Sequence, residues 1–420
     1  MPAHEHPGSS PRPAGLRVTG LEQARLDGTD NILVAPESLR DNDVVRDFFG
    51  STATPEELAA GDWARKTVYL CGDRAAIDER SLRSAARVFV VRELSHGVRA
   101  EDDPRWTVVD RGRVPVRVHD AGVFYRRFFD LGADHFGRIR AEHTFQSLTE
   151  STKPGTAHRR GIYLSPVTRD GDALRFRLLR CSTNLSGPTE GFRPTDTSIV
   201  DALNREADTV FRGHAPLNHV LAQIYHNTPP TASTKQSKAK ISAHADKTKD
   251  MPGHGIMAFC TFYDGLDELR PLPGDPFDYG VRRTSGLTSL LFRLKDSAAE
   301  RPGRPAQFRL TLYPGSVFFM PLSTNRLYTH EIRPSTLDAA VLPTRLGYVV
   351  RCSKTEAVHT NGRTFLEQDG ELVPLEAPTQ EDMDELRGLY AEENRTASVI
   401  DYGDRFRFSM NTGDYVAPRP

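Results

Sequence analysis

The second half of the chain is built from short apolar-rich runs separated by Gly, Pro and Asn. The runs at Val220–Tyr225, Ala239–His244, Ile256–Tyr263, Thr288–Leu294, Phe308–Leu312, Ser316–Met320 and Leu346–Arg351 have strand length and β-branched or aromatic content. Punctuation of that kind between short strands predicts a β-sandwich or jelly roll. Ahead of them, Val200, Leu203, Ala207 and Val210 recur at spacings of three and four, which predicts an amphipathic helix over Ser198–Phe211. Earlier still the pattern is mixed. Val68–Cys71, Val88–Arg92, Trp106–Val109, Gly161–Leu164 and Phe176–Leu179 read as short strands, and Val114–Val118 alternates like a half-buried one. The aromatic stretch Val123–Leu131 is expected as a helix with one apolar face. Thr379-x-x-Asp382 reads as a helix N-cap, followed by Met383, Leu386, Leu389 and Tyr390 at helical spacing.

The resulting organisation is a disordered tail over 1–15, a mixed α/β region over 16–195 packed on the core, a β-core over 196–355, and a C-terminal helical extension over 356–420. Composition narrows the class. With 38% hydrophobic and 26% charged residues the chain reads as a soluble globular protein. Its net charge of −1 gives no global basic field of the kind that advertises nucleic acid. Cys71, Cys181, Cys260 and Cys352 lie far apart without a C-x-x-C pattern, which argues against a disulfide framework or a zinc knuckle and fits a cytoplasmic setting. The segment Met1–Arg12 has no apolar core of a signal peptide, and no run of apolar residues is long enough to span a membrane.

The chemistry concentrates in Ile241-Ser-Ala-His244-Ala-Asp246-Lys247. In a strand, residues i and i+2 share a face, so His244 and Asp246 are expected to grip one ion together. Two His and one carboxylate with open positions suit a non-haem Fe(II) site. His330, in Leu327-Tyr-Thr-His330-Glu-Ile-Arg333, is the candidate for the third ligand. His226, His254 and His359 compete, but only His330 has the matching pattern downstream of it, Arg345-Leu-Gly-Tyr-Val-Val-Arg351. Arg345 and Arg351 share one strand face by alternation. A buried arginine is costly unless paired, and a dicarboxylate co-substrate needs such a partner. The lysines 235, 238, 240, 247 and 249 are either a solvated loop entering the metal strand or a phosphate-contacting or substrate-covering one. Tyr125, Arg126, Arg127, Arg159, Arg160 and Tyr163 are candidates for polar contacts to a substrate.

Taken in order, His244-x-Asp246-Lys247, Gly315-x-Val317-x-x-Met320, Tyr328-x-His330-x-Ile332-x-Pro334 and Arg345-x5-Arg351 resemble the Fe(II)/2-oxoglutarate dioxygenases of the AlkB-like group, over roughly residues 217–353. The resemblance implies an α+β fold with a double-stranded β-helix (jelly-roll) core, flanking helices and an N-terminal α/β extension. It implies His244, Asp246 and His330 as the catalytic iron ligands, Arg345 on the remote carboxylate of 2-oxoglutarate, and Arg351 near its chelating end. Tyr225 matches the tyrosine of the family's N-x-Y, whose side chains also touch 2-oxoglutarate. Gln223 stands where that motif has Asn, and the Tyr225–His244 connection is longer than the family pattern. Fe(II), 2-oxoglutarate and O2 are then the expected cofactor and co-substrates, with release of succinate and CO2 and oxidation of a C–H bond. A carboxylate at 246 argues against halogenation. The expected substrate is a small molecule, an amino acid or natural-product intermediate, with no membrane partner. The alternatives are oxidative dealkylation of nucleic-acid bases and a non-catalytic metal-binding β-sandwich.

Overall fold

Two sheets, antiparallel except for the parallel pair Thr156–Ser165 with Glu190–Gly191, face each other across the main core. A computed structural model of the chain describes residues 23–77, 79–97, 106–149, 156–181, 185–299 and 303–420, so the tail expected over 1–15 lies outside the described residues. The larger sheet has nine strands. Its path runs Glu190–Gly191, Thr156–Ser165, His219–Tyr225, Thr344–Arg351, Ile256–Asp264, Val317–Pro321, Gly122–Tyr125 and Val116–Val118, and Gln146–Thr149 also pairs with Thr156–Ser165. The smaller sheet runs Ile241–His244, Tyr328–Arg333, Ser289–Leu294 and Gln307–Thr311. Between them, Met257, Phe259, Phe318 and Met320 pack against Leu290, Phe292, Leu310 and Ile332. The other face of the large sheet carries Val220, Ala222, Cys260, Tyr348, Val350 and Cys352 against Ile199, Leu203 and Ala207 of the helix Pro194–Val210. Two apolar faces on one sheet explain why its strands read as continuous apolar runs.

The aromatic stretch at 123–131 is not a helix. Gly122–Tyr125 is a strand whose residues alternate, Val123 and Tyr125 toward the helix-covered face and Phe124 toward the inter-sheet core. A strand buried on both faces has aromatics at successive positions, and that density hides the period of two.

The N-terminal segment forms its own five-stranded sheet in the spatial order Ser51–Ala53, Asn31–Val34, Thr67–Asp73, Arg87–His96, Trp106–Val109, with every pair parallel. Ile32, Val34, Val68, Leu70, Val88 and Val90 point to one face, and Leu33, Tyr69, Cys71, Phe89 and Val91 to the other. This is a doubly wound order. Glu206, fully buried on the core helix, ties this sheet to the core: it accepts from Arg87 Nη1 (2.9 Å), Arg113 Nη2 (2.9 Å) and Tyr125 Oη (2.7 Å).

A second buried ion group pins the N-terminus of that same helix. His143 Nδ1 lies 3.0 Å from Glu190 and its Nε2 2.7 Å from Asp196, whose other oxygen accepts from Tyr348 Oη at 2.8 Å. Burial opposes a charged ring here, but the hydrogen bonds and charges of Asp196 and Glu190 override it and hold the imidazole up to about 9, from an ordinary 6.5. A folded value above the unfolded one stabilises fully below about pH 6.5, and that stabilisation fades as pH rises through about 9. The linkage is on the order of 3 kcal/mol. Urea midpoints measured at pH 6 and pH 9.5 should therefore fall in the native chain, and His143→Gln should remove most of that difference. An undiminished pH response in the variant would assign it elsewhere.

Past residue 353 the structure departs from a purely helical extension. Thr355–Thr360, Arg363–Gln368 and Glu371–Pro374 form an antiparallel meander that pairs with Ala173–Leu178. Its two turns are Asn361-Gly362 (φ 50° and 73°) and Asp369-Gly370 (φ 51° and 83°), sequences that tolerate positive φ at both positions and so close tight hairpins. The helix Gln380–Arg395 follows with the expected N-cap: Thr379 accepts from the Asp382 amide and Asp382 reaches back in a capping box. Among the described residues no helix is long and apolar enough to cross a membrane.

Candidate active site

Register across the large sheet sets what faces the space between the sheets, because directly opposed residues share a face. Four rows cross its inner side. The first holds Arg159, Tyr225, Arg345 and Tyr263, and the second Gly161, Gln223, Gly347 and Thr261. The third holds Tyr163, Leu221, Val349, Phe259 and Phe318, and the fourth His219, Arg351, Met257 and Met320. Both arginines of the Arg345–Arg351 pair therefore point inward, as alternation predicts, and both are buried.

Opposite the fourth row, His244 closes the edge strand of the small sheet and sits across from His330 in the ladder. The strand ends at His244, so the expectation that His244 and Asp246 share one strand face does not hold. Asp246 lies in the irregular segment that follows, and its backbone is clamped by Asn325: the Asp246 amide donates to Asn325 Oδ1 (2.8 Å) and Asn325 Nδ2 donates to the Asp246 carbonyl (2.8 Å). That turn of the chain brings the carboxylate back beside the rings. Ligand atoms of His244, Asp246 and His330 all lie within 4.8 Å of one another. Asp246 Oδ1 is 3.4 Å from His244 Nε2 and 3.8 Å from His330 Nε2.

The surroundings of the three side chains suit a cation. His244 Nδ1 donates to the Ser242 carbonyl at 2.9 Å, which turns its Nε2 toward the carboxylate. His330 packs between Phe259 (5.5 Å) and Phe292 (5.7 Å), and burial, with the neighbouring His244, pushes its imidazole down to about 3. Burial alone would push the Asp246 carboxyl up. The Arg351 guanidinium, aided by His244 and His330, overrides it and holds the group well below the usual carboxylate range. Arg351 donates Nε and Nη2 to Asp246 Oδ2 at 2.8 and 2.6 Å. One carboxylate oxygen is thus committed to arginine and the other faces the two imidazoles. Two imidazoles and an ionised carboxylate are a donor set that fits a divalent transition metal.

At the far end of the inner face, Arg345 stacks its guanidinium 3.9 Å above the Tyr225 ring. Its Nε and Nη2 are buried with no hydrogen-bond partner among the described residues, as is the Thr261 hydroxyl in the adjacent row. Buried donors left unpaired cost free energy, so their convergence fits an acceptor-rich anion. Gly347 keeps the space open. A Cβ there would stand 2.8 Å from Arg345 Nη1 and 3.2 Å from the Tyr225 ring. Gln223 does not point its amide freely into this space; its Oε1 accepts from Tyr225 Oη at 3.0 Å and so fixes the tyrosine.

Other sequence candidates separate. Among the histidines, His359 pairs with Thr364 in the C-terminal meander. The lysines form no single patch: Lys238 is tied to the Ser335 and Leu337 carbonyls, Lys247 lies over Tyr390, and Lys249 is buried beside Asp250, leaving Lys235 and Lys240 exposed. Tyr125 is bound to Glu206 on the helix-covered face, Arg126 pairs with Asp43 and Arg127 with Asp110, and Arg160 opposes Ile224 on the outer face. Only Arg159 and Tyr163 of that set share the inner face. Sequence reading missed Thr261 and Asn325. Extending the alternation of Phe259 by two positions reaches Thr261; Asn325 lies in a short helix, Leu322–Leu327, with no local signal.

No family model matches the chain, and no curated protein matches it. Among solved structures the chain is similar to a Pseudomonas putida prolyl-4-hydroxylase, at 12% identity over 53% of this chain and 84% of that one, with a TM-score of 0.27. It is similar to OsALKBH1 at 11% identity over 57% and 99%, with a TM-score of 0.34. It is also similar to the epimerase SnoN, solved with Fe3+, alpha ketoglutarate and nogalamycin RO, at 15% identity over 56% and 81%, with a TM-score of 0.29.

Proposed function

We propose that the protein is an Fe(II)- and 2-oxoglutarate-dependent oxygenase built on a double-stranded β-helix. The carrying observation is the pairing of two features in the space between the sheets: a His244–Asp246–His330 cluster with its carboxylate charged, and a buried Arg345 whose Nε and Nη2 lack partners among the described residues. A metal-binding sandwich without oxygenase chemistry accounts for the first and leaves the second unexplained. His244, Asp246 and His330 would hold the ion from one side. Arg345, stacked on Tyr225 and flanked by Thr261, would hold the remote carboxylate of 2-oxoglutarate, while Gln223 fixes the tyrosine. Arg351 keeps Asp246 ionised and fixes its rotamer. The bound iron supplies the redox chemistry that couples decarboxylation of 2-oxoglutarate to succinate and CO2 with oxidation of a substrate C–H bond. Phe259, Phe292 and the apolar core around His330 exclude water from that side.

The substrate in this reading is a small molecule. The lysine run that would have to track a nucleic-acid backbone is dispersed, and the chain carries a net charge of −1.

Anaerobic addition of Fe(II) and 2-oxoglutarate should give a weak visible charge-transfer band; its absence in the native chain would overturn the reading. Arg345→Met should raise the 2-oxoglutarate concentration that half-saturates the band by about a hundredfold, the equivalent of ~3 kcal/mol of charged hydrogen bonding. Gly347→Ala should shift it in the same direction without touching the metal ligands.

A further inference from the structure

The segment from Ala245 to Thr248 leaves the small sheet, so its amides lack ladder partners and must be satisfied elsewhere. Side chains from two other segments do this. The Ala245 amide, between the two candidate ligands, donates to Asn394 Oδ1 at 2.6 Å. The Asp246 amide and carbonyl are both taken by Asn325. The Thr248 amide donates to the Glu393 carboxylate at 3.2 and 3.3 Å, and the Thr248 hydroxyl also bonds it. Glu393 is itself fixed by Tyr402 Oη at 2.6 Å.

These holders are joined to one another. Buried Lys295 donates to the carbonyls of Glu393 (2.7 Å), Thr396 (3.1 Å) and Asn325 (3.4 Å). The end of the helix Gln380–Arg395 and the Leu322–Leu327 segment therefore meet in one polar knot. Asn394, Asn325 and Glu393 act on the backbone of the 245–248 segment, and Lys295 and Tyr402 hold those residues in turn.

We propose that the last turn of the Gln380–Arg395 helix sets the geometry of the metal site, with Asn394 and Asn325 as positioning residues for His244 and Asp246. This rests on the reading that His244, Asp246 and His330 hold a divalent ion. The physical reason is that an irregular loop left to itself samples many backbone states, whereas anchored peptide groups present the imidazole and carboxylate in one arrangement. The helix lies outside the two-sheet core, so a distant part of the chain controls metal affinity.

The test is a Co(II) titration of the metal-free 420-residue chain, followed by ligand-field absorption, with thermal midpoints recorded alongside. Asn394→Ala should weaken Co(II) binding about tenfold or more and alter the absorption, as supporting residues do when removed. Asn394→Asp keeps the one acceptor that the Ala245 amide uses and should restore binding at a thermal midpoint close to that of Asn394→Ala. If Asn394→Ala does not fold, Asn394→Leu, which keeps side-chain volume and has no acceptor, takes its place. Native affinity and spectrum in the acceptor-less variant, or failure of Asn394→Asp to rescue, would overturn the proposal. Failure of the native chain itself to bind Co(II) would instead overturn the metal reading.

Discussion

Asp246→Ala is expected to reduce iron-dependent succinate formation to background and, independently, to destabilise the fold. The two losses have different causes. The first follows from removal of the only carboxylate in the His244–Asp246–His330 cluster. The second follows from Arg351, which is buried and gives both Nε and Nη2 to that carboxylate. Breaking a buried pair by deleting one partner leaves an uncompensated charge and costs about 3–5 kcal/mol. Replacing both partners by apolar groups is far less costly, so Asp246→Ala combined with Arg351→Met should recover most of the lost stability and none of the activity. Urea denaturation and succinate release measured on the native chain, the single variant and the double variant separate the effects. Turnover at the native rate in Asp246→Ala would sink the ligand assignment, and equal stability of the single and double variants would sink the charge argument.

Glu206→Ala should be the most damaging substitution remote from the site. Burial pushes this carboxyl up, but the charges of Arg113 and Arg87 and the Tyr125 hydrogen bond override it and bring it down to about 2. The group is therefore ionised at neutral pH and balances two guanidinium groups. One comes from the N-terminal parallel sheet; the other lies 3.9 Å over the Phe128 ring. Without it, two cations and the Tyr125 hydroxyl lose their common acceptor, at a cost of about 3–5 kcal/mol. The expected result is a large drop in urea midpoint, with Glu206→Gln intermediate because an amide still accepts one bond. A midpoint unchanged in Glu206→Ala would show that the arginines find other partners.

The sequence was most legible where period and chemistry coincide. Alternation from Arg345 to Arg351 places both guanidinium groups on one face, and that is how they lie. The helix over 198–211 and the cap at Thr379 were readable because spacing and capping are local. The stretch at 123–131 was misread because a strand buried on both faces has no polar side to betray its period. The 355–374 meander carried its signal openly in Asn361-Gly362 and Asp369-Gly370, turns whose positive φ few other residues accept. Asn325 and Asn394 were invisible for another reason. Their role depends on which backbone amides the fold leaves without partners, and nothing near them in the chain marks that.

The strand Thr344–Arg351 is the last of the nine-stranded sheet to be synthesised, yet it lies in the middle, hydrogen-bonded to His219–Tyr225 on one side and Ile256–Asp264 on the other. Until it arrives, both neighbours present open edges, and the sheet exists only as two unjoined halves. Its insertion seals those edges and delivers Arg345 and Arg351 in the same event. Closure of this sheet and placement of its two inward arginines are therefore one step, and a nascent chain stalled short of residue 344 holds neither.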